Sequence, residues 1–235
     1  MAATAPFTGF SHDAIQFLAD LTVHNDRSWF QPRKNEYERL LKEPLEALCL
    51  SLGVEFEARH LPLAAGWRSP FRIYRDLRFS ADKSPYKTHV SASFPWTGEG
   101  GGVGAYFHLQ PGEIFAGGGM WHPVPPQLAA WRRAVDTDPD GVLGALHDPK
   151  FRAAFGEVSG GRLSRVPKGF AADHPGAELL KLKDVTFGRQ LSDADVESAG
   201  LVGLLVDTFE AALPVLGLLA GLVPDAPHAA WLRGQ

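Results

Sequence analysis

The chain has 235 residues, 45% of them hydrophobic and 21% charged, which suits a packed core and excludes a disordered or fibrous protein. Its formal net charge of -4 lacks the overall basic footprint of a general nucleic-acid binder. A single cysteine, Cys49, permits neither an internal disulfide nor a thiolate zinc site, and no charged-then-apolar leader opens the chain, so a reducing, cytoplasmic setting is expected.

Ser11 and Asp13 stand where caps belong, ahead of a first helix carrying Ile15, Phe17, Leu18 and Leu21 and ending near His24-Asn25. A second helical stretch begins near Pro32, with Tyr37, Leu40, Leu41, Leu45, Leu48 and Leu52 at spacings of three and four. Pro44 should kink it or start a new helix, and Gly53 should close it. From Phe71 the period changes to two. Phe71, Ile73, Leu77 and Phe79 alternate with Arg72, Tyr74, Asp76 and Arg78, which predicts a strand in which only Arg75 falls on the apolar parity.

After a turn over 80–85, a second strand places Val90, Ala92, Phe94 and Trp96 opposite His89, Ser91 and Ser93. A glycine-rich loop, 98–104, leads to a third strand over 105–110, and the Pro111-Gly112 turn opens a fourth over 113–116. Helices are expected over 125–135 and 139–146, another strand over 162–166, and a long apolar helix over 201–222. The most apolar tract, 211–223, is shorter than the roughly 20 residues a bilayer requires, and Pro214 interrupts it, so no membrane partner is expected. The pattern predicts one α+β domain over residues 1–235. Its mostly antiparallel meander near 71–120 would be packed by N-terminal and C-terminal helices.

Chemistry concentrates in Arg72-Ile-Tyr-Arg75-Asp76-Leu-Arg78-Phe79 and the following Asp82-Lys83-Ser-Pro-Tyr86-Lys87-Thr-His89. Guanidinium forks grip carboxylate or phosphate bidentately, whereas a lysine supplies a movable point charge. Solvent-face cations neutralised across strands by Asp76 explain the same residues without a ligand. Arg75 calls for either a bulge or partners that justify burying a guanidinium.

That string resembles the motif R-x-x-R-D-x-R-F-x-x-x-[DN]-K-x-x-Y of a bacterial family, domain of unknown function 2461, matching at Arg72, Arg75, Asp76, Arg78, Phe79, Asp82, Lys83 and Tyr86. Further likeness lies in Asn25-Asp-Arg27-Ser-Trp29-Phe30 with Lys34 and Tyr37, His108-Leu-Gln-Pro-Gly112 and Gly117-Gly-Gly-Met-Trp121 with Pro123. Pro167-Lys168-Gly-Phe170, His174-Pro and Leu179-Leu-Lys-Leu-Lys183 continue it toward the C-terminal helix. The resemblance implies membership and carries no catalytic role onto any residue.

Other constellations are weaker. Gly117-Gly118-Gly119 reads as a sharp strand-to-helix turn over Trp121, or as an anion cradle. His108, Glu113 and His122 stand where adjacent strands might unite them, yet no metal-binding spacing is present, so neither metal nor cofactor is expected. Cys49 shares the apolar face of Leu45 and Leu52 and reads as buried filler. A later basic set, Arg162, Arg165, Lys168, Lys181, Lys183 and Arg189, reads as a solvated surface, although the family pattern suggests a cleft shared with the hairpin.

Three functional readings stay open. In the leading one a small anionic ligand binds an arginine-rich sheet face. Arg72, Arg75, Arg78 and Lys83 hold it, Asp76 orients the arginines, Tyr86 donates a hydrogen bond, Trp29, Tyr74 and Trp121 stack, and Asp82 and Lys168 belong to the same site. In the second an enzyme draws acid–base chemistry from Asp76, His89, His108, Glu113 or His122. In the third the motif is an internal Arg/Asp network of a partner-binding scaffold.

Overall fold

Ser11 sets the start of the first helix, α1 (His12–Val23), its hydroxyl accepting the Ala14 N–H at 3.3 Å, and the helix ends at His24. These contacts belong to a computed structural model that describes residues 6–78, 81–98 and 100–222. Phe79, Ser80, Glu99, Val223 and the first five residues, all of which entered the sequence reading, lie outside the described residues. Asp26 caps the short α2 (Arg27–Phe30), accepting the Trp29 N–H at 2.9 Å.

A 3-10 turn (Gln31–Arg33), α3 (Lys34–Tyr37) and a π-helical turn (Glu38–Lys42) then lead into α4 (Glu43–Ala58). Pro44 occupies the first turn of α4 directly after the wide π turn. Proline has no N–H to donate and crowds the preceding turn, and starting a new helix there removes both problems. Gly53 does not close α4. The Ala65 carbonyl oxygen lies 2.7 Å from where a Cβ at this position would sit, so glycine admits a close backbone approach in mid-helix.

The fold is α+β, with one four-stranded antiparallel sheet among the described residues. Its strands, in spatial as well as chain order, are β1 (Val90–Pro95), β2 (Val103–Gln110), β3 (Glu113–Met120) and β4 (Val185–Gln190). One face presents Ala92, Phe94, Phe107, Ala116 and Phe187, all buried. Aromatic contacts from α1's N-terminal flank and from α4 reach that face, Phe10 to Phe107 and Phe56 to Phe94.

Three expectations about the strands need correction. Residues 71–78 do not form a regular strand. Only isolated bridges, Pro70 to Ala92 and Tyr74 to Tyr86, tie this segment to its partner arm. The spacing between the bridges is four residues on one arm and six on the other, so the extra residues lie on the Lys87–Ser91 side, while the Arg75 N–H stays paired with the Pro85 carbonyl. The strand expected over 113–116 continues through Gly117, Gly118 and Gly119, which are therefore not a turn or an anion cradle. A Cβ at Gly117 would lie 2.1 Å from the Phe187 carbonyl oxygen and one at Gly118 2.6 Å from the Gly104 carbonyl oxygen, so these glycines serve close pairing of β3 with β4 and β2. The fourth strand is β4, whereas the segment expected over 162–166 contributes one bridge, Arg162 to Leu182.

Prolines open the next helices, α5 (Pro125–Thr137), α6 (Pro139–Leu146) and α7 (Pro149–Phe155), as their fixed φ and missing N–H favour. The short α8 (Ala177–Leu180) and α9 (Asp193–Val196) flank β4 and lead to α10 (Leu201–Gly221). Because α10 begins ten residues before the tract noted in the sequence, its 21 residues are long and apolar enough to cross a bilayer by length and composition. Here its Phe209, Val215, Leu216 and Leu219 are buried, with Phe209 against Phe56 and Phe94, which makes α10 the spine of the core.

Candidate functional site

The arms 69–75 and 85–93 form an irregular β-ribbon that runs from the free edge of β1. Phe71 N–H donates to Ser91 O at 2.9 Å, Lys87 N–H to Ile73 O at 2.7 Å, and Arg75 N–H to Pro85 O at 3.0 Å. Tyr86 anchors the ribbon to the helices. Its backbone exchanges two 3.0 Å hydrogen bonds with the Asn25 side chain, and its ring stacks on Phe30 at 4.0 Å between centroids. With 1% of its surface exposed, Tyr86 is core as much as site.

The motif cations are partly neutralised locally. Arg78 grips Asp76 through both Nε and Nη2, the latter at 2.6 Å from Oδ2, and this fork holds the Asp76 carboxyl at a pKa of about 2. Arg75 pairs with Asp82, whose carboxylate also accepts from the Ser84 N–H and hydroxyl. Those Ser84 bonds, followed by Arg75, push the Asp82 pKa well below the ordinary carboxylate range. Lys83 donates to the Leu77 carbonyl at 3.0 Å. Arg72 is exposed and forms no ion pair among the described residues, while its charge lowers the pKa of both Asp76 and Lys87. Five cations (Arg72, Arg75, Arg78, Lys83 and Lys87) thus share the ribbon with two carboxylates, Asp76 and Asp82.

A cavity of about 390 Å³ opens where this ribbon meets the start of the α2 segment. It is lined by Arg27, Gln31, Tyr74, Arg75, Leu77, Pro85 and Tyr86. Among these described residues there are two guanidinium groups and no carboxylate. Arg27 is exposed and forms no ion pair among the described residues. Gln31 Nε2 donates to the Tyr86 hydroxyl at 3.4 Å. Sequence reasoning missed Arg27 and Gln31 as lining residues. Arg27 stood within a segment noted for its likeness, but nothing local indicated that it would face Arg75.

Trp29 does not line the cavity. It packs on Phe17 and His24, with the Arg33 guanidinium 4.6 Å from its ring centroid.

The remaining candidates fall at other places. His89 and His108 lie together at the β1–β2 edge of the opposite sheet face, ring centroids 4.4 Å apart. His108 is only 7% exposed. Its Nδ1 meets the Tyr106 hydroxyl at 3.1 Å, Phe115 stacks on its ring, and its Nε2 has no hydrogen-bond partner among the described residues. Burial lowers both histidine pKa values, that of His89 to about 3 with further depression from His108 and Lys87. Glu113 pairs in register with Gln110, and its charge acts on His108, but no three metal-binding side chains converge among the described residues.

His122 follows the far end of β3. It leans on Asp184 at 3.6 Å and takes no part in a cluster with His108 and Glu113. Trp121 is 47% exposed against the His122 ring, so it does not pack underneath a turn.

The later basic set does not share the cleft. Ser159 bridges Thr186 on the free edge of β4, while the ribbon leaves the free edge of β1. Three strand spacings, about 14 Å, separate those edges. Arg162 and Lys181 are engaged by Glu178 at 3.2 and 2.6 Å, and Lys168 is exposed in its turn. Cys49 is buried, and desolvation pushes its thiol pKa up, which suits an inert core residue.

The profile of a family described as conserved hypothetical protein (DUF2461) matches residues 13–217. The chain belongs to the DUF2461 family. No curated protein and no solved structure gives a significant match. The cleft residues, both arms of the ribbon and the histidine pair all lie within the DUF2461 match. Within DUF2461, this chain therefore carries its cation-rich ribbon as part of the family domain and not as an appended segment.

Proposed function

We propose that the protein binds a small ligand bearing a phosphate or carboxylate in the cleft between the ribbon and α2. The observation that carries this reading is the lining itself, in which Arg27 and Arg75 come from separate elements and no carboxylate stands among the described lining residues, Asp82 pairing with Arg75 from outside that lining. Guanidinium groups in a concave, partly apolar surface hold an anion more strongly than the same groups on an open face, because less water competes. The volume falls in the range of about 300–1,000 Å³ common for small-molecule sites. Relative to the sequence expectation, the proposal moves the ligand off the sheet face and onto the ribbon. Binding is favoured over acid–base catalysis because the described lining offers no histidine or carboxylate.

The test is isothermal titration of the full chain with inorganic phosphate, citrate and adenosine monophosphate, repeated on Arg27→Gln. At least one of these should bind, and the exposed Arg27→Gln change should weaken it about tenfold without lowering Tm. Absence of binding at millimolar concentration, or affinity indifferent to Arg27, overturns the proposal.

A second reading rests on the bidentate Arg78–Asp76 pair and the Arg75–Asp82–Ser84 chain, which suit an internal network shaping a scaffold surface. On that reading Arg75→Gln unfolds the ribbon and no anion binds.

A further inference from the structure

The cleft has an apolar as well as a charged side, and the aromatic residues around it are ordered. Phe30 stacks on Tyr86 with centroids 4.0 Å apart, and Tyr86 meets Tyr74 at 5.5 Å and 49°. Phe30 and Tyr86 are each only 1% exposed, whereas Tyr74, which ends the run, is 44% exposed and lines the cavity. Leu77 and Pro85 extend this apolar surface. An aromatic run anchored in the core and ending in a solvent-facing ring presents a π surface whose own mobility has been reduced. An incoming ring therefore loses less entropy in stacking there.

The polar side of the cleft is selective in a complementary way. Recognition of a sugar or polyol needs several acceptors and donors for its hydroxyl groups, typically carboxylates and amides. The described lining holds no carboxylate and a single amide, Gln31, already engaged with the Tyr86 hydroxyl. Arg27 and Arg75 supply donors only, suited to an oxyanion. Two cationic donors with few acceptors, next to an aromatic platform, favour an anion that carries a ring over one that carries several hydroxyl groups.

We infer that the cleft takes an aryl oxyanion, a planar aromatic ring carrying one phosphate or carboxylate, with the ring against Tyr74 and the anionic group between Arg27 and Arg75. This rests on the anion-binding reading above and names the class of ligand for that same site. Neither Tyr74 nor Arg27 belongs to the buried core, so both can be altered without removing a packing residue.

The experiment titrates the full chain with four probes: phenyl phosphate, benzoate, inorganic phosphate and phenol. Phenyl phosphate or benzoate should bind roughly tenfold more tightly than inorganic phosphate, the increment expected of one aromatic stack. The better of the two identifies the anionic group. Tyr74→Ala should abolish that advantage, Tyr74→Phe should retain it, and Arg27→Gln should weaken both ring-bearing anions.

Equal affinity for inorganic phosphate and phenyl phosphate would overturn the aryl inference and leave the anion site standing. Phenol binding as tightly as phenyl phosphate would overturn both, since the cations would then contribute nothing. Failure of all four probes at millimolar concentration would also sink both.

Discussion

Arg75 and Asp82 close the far end of the ribbon, joined by an ion pair whose acidic member is itself held by the Ser84 N–H and hydroxyl. The arrangement orders Arg75 beside the cleft without removing its charge from solvent reach, since its side chain keeps 27% exposure. Orientation and partial neutralisation are therefore the same contact, and substitution of Asp82 separates them.

Asp82→Asn should lower Tm by no more than a few degrees, because exposed ion pairs contribute little to global stability. It should also raise local hydrogen exchange in residues 74–86, because the pair's main effect is to order the ribbon. Measured together, exchange and Tm check this. A collapse of Tm would instead mark the ribbon as a structural keystone.

The histidine pair sets the pH dependence at mildly acidic values. His89 has its folded pKa lowered from 6.5 to about 3 by burial, and His108 shifts in the same direction. The native state thus favours the neutral rings. That contribution is complete above about pH 6.5 and is lost as pH falls toward 3. Asp76, with a folded pKa of about 2 against an ordinary 3.8, begins to lose its contribution only below about pH 3.8. Urea midpoints should fall between pH 7 and 4, and His89→Gln should flatten the decline; an unchanged slope would locate the titration elsewhere.

His108 presents a buried Nε2 with no hydrogen-bond partner among the described residues, and phenylalanine approximates its shape without that group. Removing an unsatisfied polar atom while keeping the packing is close to neutral or stabilising. His108→Phe also removes the Nδ1 contact with the Tyr106 hydroxyl, so it should change stability at pH 7 by no more than about 1 kcal/mol, whereas His108→Ala should lose about 2 kcal/mol or more to the cavity it leaves. Chemical denaturation of both variants checks the pair. A large loss in His108→Phe would show that Nε2 has a partner in solution.

Gly119 adopts φ 124°, and a Cβ there would lie 2.1 Å from the Val185 carbonyl oxygen. Gly119→Ala should cost more than about 2 kcal/mol, combining strain and steric clash at the β3–β4 pairing. Gly144 in α6 has no atom within 4 Å of a built Cβ, so Gly144→Ala should stabilise by about 0.5–1 kcal/mol. Urea unfolding of the two variants should shift in opposite directions.

Local chemistry was enough to read much of this protein from its residues in order. The Ser11 cap, the restart at Pro44, the alternation of Val90, Ala92 and Phe94, and the apolar length of α10 depend on near neighbours, and each formed as expected. The motif of the ribbon was equally visible, because a run of cations in a short segment needs no partner to be noticed.

Tertiary structure alone decided how that ribbon is used. Gly117, Gly118 and Gly119 read as a turn because glycine breaks most patterns, whereas their role depends on a strand nearly 70 residues away, β4. Likewise Arg27 acquired meaning only when α2 was placed against Tyr74 and Arg75, some 50 residues later in the chain. Periodicity reports which side of an element faces inward, but a cleft is made by the meeting of two elements, and their relative placement is a property of the packed core.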